Sequence, residues 1–268
     1  MDKKYKIQNI LILFLLFILI NGCQKQKAGI TLAGSNSITP FAELLAEEYM
    51  LINPQSRIHV QDGGSTAGIV AIRNNAAHIG MCSRPLSPTE RDLHSVIIAK
   101  DAIAIIVHPK NPVEDLSISQ IRLIFSGKIR NWREVGGLSN PIVVITREEG
   151  SGTRDSFQKM VMGKDEITLE ALVQDASGTI RQLVADDPNA IGYISLGLVN
   201  EKVKPLKIAG VEPTFKNIEN GKYTLVRPFL FVFKCEPEGE VKTFLDFVLS
   251  KRGQQLLAKE GLVPVIQE

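Results

Sequence analysis

The chain has 268 residues, 44% of them apolar and 22% charged, with 31 Lys and Arg against 29 Asp and Glu. That content excludes a disordered chain, and 21 Gly, 13 Pro and 3 Cys exclude collagen-like and disulfide-scaffold classes. The even charge balance offers no basic field for nucleic acid, and the length suits two domains or lobes, each with enough chain to bury a core.

Lys3, Lys4 and Lys6 precede an unbroken apolar run over residues 10–20. As a helix this run reaches about 16 Å, short of a bilayer core of ~30 Å, so residues 1–22 read as a secretory signal peptide. Gly22-Cys23 at its end resembles a bacterial lipobox, in which the cysteine takes the lipid and becomes the first residue. Ile20 and Asn21 are less usual there than Leu and Ala or Ser, and the plainer reading is a signal anchor with a chance cysteine. Residues 23–28, with Gln24-Lys25-Gln26-Lys27, suit a short tether. Removing residues 1–22 takes away three of the Lys and one of the Asp, which leaves 28 basic and 28 acidic residues. Attraction for an anion must then come from local arrangement rather than the global field.

Beyond the tether, strands and helices alternate. Ile30-Thr31-Leu32-Ala33 reads as a buried strand, with a turn at Gly34-Ser35-Asn36-Ser37. Phe41, Leu44, Leu45, Tyr49 and Ile52 then fall at helical spacing, and Asn53-Pro54 ends that helix. Residues 57–61 alternate as a strand, and Gly63-Gly64-Ser65-Thr66 opens a helix carrying Ile69, Ile72 and Arg73. Ile79-Gly80-Met81 is a short strand and residues 101–107 a fully buried one. Ile118, Ile121, Leu123, Ile124 and Phe125 mark a helix, residues 142–145 a strand, and Ser151-Gly152-Thr153 the start of a helix with Phe157, Met160 and Val161. Residues 225–233, with Arg227-Pro228 inside, read as a crossing and return strand, and Phe244, Phe247 and Val248 as a tail helix packing back on the first lobe. This order argues for α/β lobes with mostly parallel sheets. Pro109-Lys110-Asn111-Pro112 is the best break between lobes. Cys82 and Cys235 have no metal-ligand spacing; they either pair in an oxidising compartment or stand as two buried thiols.

Three strand-to-helix turns carry glycine and small hydroxyl residues: Gly34-Ser35-Asn36-Ser37, Gly63-Gly64-Ser65-Thr66 and Arg147-Glu148-Glu149-Gly150-Ser151-Gly152-Thr153. The first N–H groups of a helix lack intrahelical partners and lie at the positive end of its dipole. Small residues let an anion reach them, and hydroxyls add donors. Arg147, four residues before Ser151, adds a forked charged donor. Each turn alone is an ordinary N-cap; the three together point to an anion.

Six blocks carry a resemblance over residues 28–266: Ala33-Gly34-Ser35-Asn36-Ser37-Ile38-Thr39-Pro40, Gly63-Gly64-Ser65-Thr66-Ala67-Gly68-Ile69, Cys82-Ser83-Arg84-Pro85-Leu86, Ile124-Phe125-Ser126-Gly127-Lys128-Ile129-Arg130-Asn131-Trp132, Arg147-Glu148-Glu149-Gly150-Ser151-Gly152-Thr153-Arg154 and Ala190-Ile191-Gly192-Tyr193. The chain resembles the substrate-binding proteins of phosphate ABC importers, the PstS family. The resemblance implies a type II periplasmic-binding-protein fold, two α/β lobes joined by two crossover segments that close over the ligand. Lobe 1 would hold residues 29–108 and 226–268, and lobe 2 residues 109–225. It further implies anion contacts from Asn36, Ser37, Ser65, Arg147, Ser151, Gly152 and Thr153. Many members have Thr where Asn36 stands, and many have, where Arg84 stands, an Asp that accepts the proton of phosphate and rejects sulfate. Arg84 itself is expected to be a further phosphate-binding residue: a second arginine favours an anion but changes the basis of selectivity. The family role is capture of inorganic phosphate outside the cytoplasm, without cofactor or metal, by a monomer tied to the membrane through lipid on Cys23 and serving an ABC permease.

Other chemistries find less support. Another tetrahedral oxyanion, sulfate or molybdate, is the nearest alternative. A secreted phosphatase would need a nucleophile with a base, or a metal cluster. Glu149 stands where a nucleophile elbow needs glycine, no P-loop occurs, and His59, His78, His94 and His108 are scattered. Trp132 reads as a packing residue, and Arg122, Lys128, Arg130 and Arg133 as a solvated face.

Overall fold

The computed structural model describes residues 29–265; the signal peptide, the tether and Cys23 lie outside them. The chain enters through β1 (Ile30–Gly34), α1 (Thr39–Ile52), β2 (Ile58–Asp62), α2 (Ser65–Arg73) and β3 (Ile79–Cys82). β1 pairs in parallel with both β2 and β3. Pro40 sits in the first turn of α1, where its missing N–H is no loss. Phe41, Leu45 and Tyr49 face inward from α1, each worth about 1.5–3 kcal/mol when buried. The helix stops where Asn53 turns its N–H back to the Tyr49 carbonyl ahead of Pro54.

β4 (His94–Val107) is 14 residues long and serves both lobes. Lobe 2 then follows as β5 (Asp115–Leu116), α3 (Ile118–Phe125), β6 (Val143–Arg147) and α4 (Gly152–Phe157), which runs on into a π-helical turn (Gln158–Met162). β7 (Leu172–Gln174), α5 (Ser177–Asp186), β8 (Ala190–Ser195), β9 (Lys204–Pro205), β10 (Lys207–Ile208) and α6 (Phe215–Glu219) complete it. The chain returns through β11 (Val226–Phe233) and ends in α7 (Gly239–Leu249) and α8 (Lys251–Lys259).

The strands run β2-β1-β3-β11-β4-β8-β6-β7 in one path, with β9 on β4. Pairing is parallel inside each lobe, β1 with its two neighbours and β6 with β7 and β8. It is antiparallel wherever β4 or β11 takes part. β4 pairs with β11 as far as Ala102 and with β8 from Ile103 onward. The change of partner therefore falls inside the apolar run, upstream of the 109–112 stretch where composition puts the break. Every residue from Ala102 to the end of β4 is buried, and the polar residue beside the change, Asp101, is buried against Arg227 of β11.

Lobe 1 packs α1, α7 and α8 around Phe41, Tyr49, Phe231 and Phe244, with Tyr49 edge-on to Phe244 at 5.2 Å. The tail helices thus return to the first lobe, as read from their spacing. Lobe 2 packs around Phe125, Trp132, Phe157 and Tyr193. Trp132 is a packing residue whose Nε1 donates to the Asn189 carbonyl at 2.9 Å. Cys82 is buried and Cys235 exposed, both as free thiols. Neither sequence alternative holds for Cys235, because the turn after β11 carries it out to the surface. Burial pushes the Cys82 thiol up, which keeps it in its neutral form.

Candidate anion site between the lobes

The loops after β1, β3 and β6 and the starts of α2, α4 and α5 meet at one place. Ser35, Ser37, Ser65, Ser83, Arg147, Ser151, Thr153 and Ser177 are all buried there. Ser37 Oγ lies 2.8 Å from Thr153 Oγ1 and 3.3 Å from Ser177 Oγ. Ser35 Oγ donates to Ser83 Oγ at 2.8 Å, and the Ser83 N–H donates to Ser65 Oγ at 3.0 Å. Glycine allows the approach. Gly64 adopts φ +87° ahead of α2, and a Cβ on Gly152 would collide with Ser65 Oγ and lie 2.6 Å from Ser83 Oγ. Ser151 caps α4 by accepting from the Arg154 N–H at 3.3 Å, which leaves its own hydroxyl proton to donate elsewhere.

Arg147 ends β6 and is 1% exposed. Nε and Nη2 grip Glu148 at 2.8 and 2.9 Å, and Nη2 also donates to the Asp175 carbonyl. Nη1 faces the hydroxyls and reaches Ser177 Oγ at 3.3 Å. Tyr193 supports it from below: its hydroxyl bonds Thr146 Oγ1 at 2.7 Å and accepts from the Arg147 N–H, and its ring stacks on Phe157 at 4.0 Å. Across the lobes, Asn36 Nδ2 donates to the Asp175 carbonyl at 2.9 Å and the Thr66 N–H to the Gly150 carbonyl at 3.1 Å. Asn36 Oδ1 is buried without a hydrogen-bond partner.

The PBP superfamily domain matches residues 21–252. Over 251 residues the chain is 33% identical to the phosphate-binding protein PstS of Bacillus subtilis, covering 91% of this chain and 83% of the relative. The chain belongs to the PstS family. Among solved structures, it is 44% identical to a Clostridium perfringens chain described as a phosphate ABC transporter substrate-binding protein, solved with bound phosphate. The TM-score is 0.86, over 89% of this chain and 100% of that one. An ABC-type phosphate transport receptor of Vibrio cholerae is 36% identical with a TM-score of 0.74, over 87% and 99% of the two chains. The fold is the type II periplasmic-binding-protein fold of that family.

Within this PstS-family site, the structure brings together the hydroxyls and Arg147 named from sequence and sets Arg84 apart. The Arg84 guanidinium is forked onto Glu90, Nη1 at 2.7 Å and Nη2 at 2.9 Å, and none of its hydrogen bonds reaches the hydroxyl cluster. That pairing holds the Glu90 carboxyl down at about 2. Arg84 Nε also lies 2.8 Å from Asp155 Oδ2, close in distance but off the N–H axis.

Four residues of the site were missed from sequence. Ser35 and Ser83 stood inside the quoted blocks. Ser177 opens Ala176-Ser177-Gly178-Thr179, a fourth small-hydroxyl turn ahead of a helix, and the pattern alone would have found it. Arg227 carried another signal, a charge in an apolar strand. It is 2% exposed, its Nη1 donates to Thr153 Oγ1 at 2.7 Å and to the Ser83 carbonyl at 3.2 Å, and its Nε donates to Asp101 at 2.9 Å. Asp101 also accepts from Ser195 Oγ at 2.7 Å. Arg227 occupies one lone pair of the Thr153 oxygen, which leaves the Thr153 proton free to donate to Ser37 or to a bound oxygen. Among the described residues no group of His, Cys, Asp or Glu could hold a metal ion.

Proposed function

We propose that the chain captures inorganic phosphate between its lobes, outside the cytoplasm, and delivers it to an ABC permease. The observation that carries this reading is the burial, at one point between the lobes, of Arg147 Nη1 with the hydroxyls of Ser37, Thr153 and Ser177. Moving an oxyanion out of water is costly unless each oxygen is hydrogen-bonded. Asn36, Ser37, Ser65, Ser151, Gly152 and Thr153 are the proposed donors and Arg147 the proposed charged partner. Arg84 acts on the site from behind, through Glu90 and Asp155. With no carboxylate at position 84, the phosphate proton goes to a serine hydroxyl, which accepts as readily as it donates.

The role is capture rather than catalysis. His78 and His108, the histidines whose rings accept backbone hydrogen bonds, do so from Thr31 and Lys110, away from the hydroxyl cluster. The chain acts as a monomer, held at the outer face of the cell membrane by lipid on Cys23. Replacing Cys23 by Ala abolishes labelling with palmitate; unchanged labelling contradicts the anchor. Calorimetry of the mature chain with phosphate, sulfate and molybdate tests the ligand. One-site binding tightest for phosphate is expected, and tighter binding of sulfate at neutral pH would overturn phosphate as the ligand.

A further inference from the structure

Arg84 and Asp155 belong to different lobes. Arg84 follows β3 in lobe 1, beside Glu90 of the 3-10 turn Pro88–Glu90. Asp155 lies in α4 of lobe 2, one turn beyond Ser151, Gly152 and Thr153. The Arg84 side chain is 6% exposed and that of Asp155 is 40% exposed. Glu90, 2.7 Å from Arg84, stays with it in any arrangement of the lobes, because both sit on the same side. The 2.8 Å contact with Asp155 is the one that separation of the lobes breaks. It is a contact of charge rather than of an aligned N–H, so it needs no exact docking angle to form.

We infer that Asp155 is a positioning residue for anion capture, an interlobe latch that ties the helix offering Ser151, Gly152 and Thr153 to Arg84 when the lobes close. The inference rests on the capture reading above and deepens it. It also gives the arginine at position 84 a role: it engages the opposite lobe instead of the anion. A latch across the closed cleft acts mainly on escape of the ligand, since the anion leaves only after the lobes part, and it also raises the closed share of the unliganded chain.

The sign of the effect separates this role from simple electrostatics. Asp155 is a carboxylate within one helical turn of the proposed anion donors. As a bare charge it repels the anion, and its removal would tighten binding. As a latch its removal weakens binding. In Asp155→Asn we expect phosphate dissociation, followed by stopped flow, to speed up by roughly two- to tenfold, with a smaller change in the association rate. Small-angle scattering of the unliganded variant should show a larger radius of gyration than wild type. Asp155→Glu keeps the charge on α4 and should recover a slower dissociation than Asp155→Asn. Equal or tighter phosphate binding by Asp155→Asn overturns the latch, as does a dissociation rate in Asp155→Glu equal to that of Asp155→Asn. Wild-type protein that binds no phosphate refutes the capture reading itself, and the scattering comparison then decides the latch by itself.

Discussion

Arg147 is a guanidinium buried almost completely, which is tolerable only because Glu148 and the Asp175 carbonyl take up Nε and Nη2. The arm left over, Nη1, is the one aimed at the hydroxyls. Arg147→Ala should therefore cost about 2–5 kcal/mol of phosphate binding, roughly 30-fold to several thousandfold in Kd. Calorimetry reads this, and a variant binding like wild type would remove Arg147 from the site. Glu90 makes a different prediction. Arg84 holds its carboxyl at about 2 against an ordinary 4.5. A depressed carboxyl contributes stability that is complete above the unfolded value and is lost as pH falls toward the folded one. Wild type should thus lose stability between pH 4.5 and about 2 more steeply than Glu90→Gln, although the variant is weaker at neutral pH because Arg84 loses its fork. Denaturant melts at pH 6, 4.5 and 3 check this, and parallel pH slopes would contradict it.

At the scale of elements, the site is a meeting of helix starts, and glycine sets how near they come. Gly152 opens α4 directly against Ser65 and Ser83 of the other lobe. Its backbone needs no unusual dihedral, so alanine there is a purely steric probe. Overpacking of this kind typically costs about 1–3 kcal/mol, and here the cost falls on closure. Gly152→Ala should weaken phosphate binding roughly five- to 150-fold while the unliganded melting temperature stays near wild type. A variant that melts much earlier without ligand would show that Gly152 serves folding instead. The π-helical turn Gln158–Met162 extends α4 and buries Val161 and Met162 in the lobe 2 core, which anchors the far end of the helix whose near end faces the cleft.

The whole molecule is two parallel-stranded lobes stitched by two antiparallel strands, β4 and β11. Asp101 on β4, Arg227 on β11, Ser195 on β8 and Thr153 on α4 form one buried polar chain through this seam. Burial pushes the Asp101 carboxyl up, and Arg227 pulls against it. The seam thus connects the crossing strands to the proposed anion donors. A ligand that binds only between assembled lobes stabilises both at once. At a phosphate concentration of about 100 times Kd the gain is ~2.7 kcal/mol, which for a chain of this size raises Tm by roughly 5–10 °C. A scan with and without phosphate measures it; identical transitions would contradict binding between the lobes.

Periodicity and punctuation by themselves determined the elements around β1 to β3, the helix Ile118–Phe125 and the tail, because each carries its own apolar spacing and its own stop, such as Asn53-Pro54. The hydroxyl turns were legible too, since a small residue ahead of a helix is a local feature. β7 was not, because it is three residues long and its Leu172 and Val173 face solvent; α5 was legible, with Ile180, Leu183 and Val184 at helical spacing behind Ser177. Only the tertiary structure decided where β4 changes lobes, since a strand buried on both faces looks the same whichever neighbour it pairs with. It alone decided the roles of the arginines. A guanidinium has the same charge wherever it lies; Glu90 beside Arg84, Asp101 beside Arg227 and Glu148 beside Arg147 come from distances that the linear chain does not contain. The geometry of those carboxylates leaves one arm of Arg147 turned toward the hydroxyls and holds the fork of Arg84 away from them.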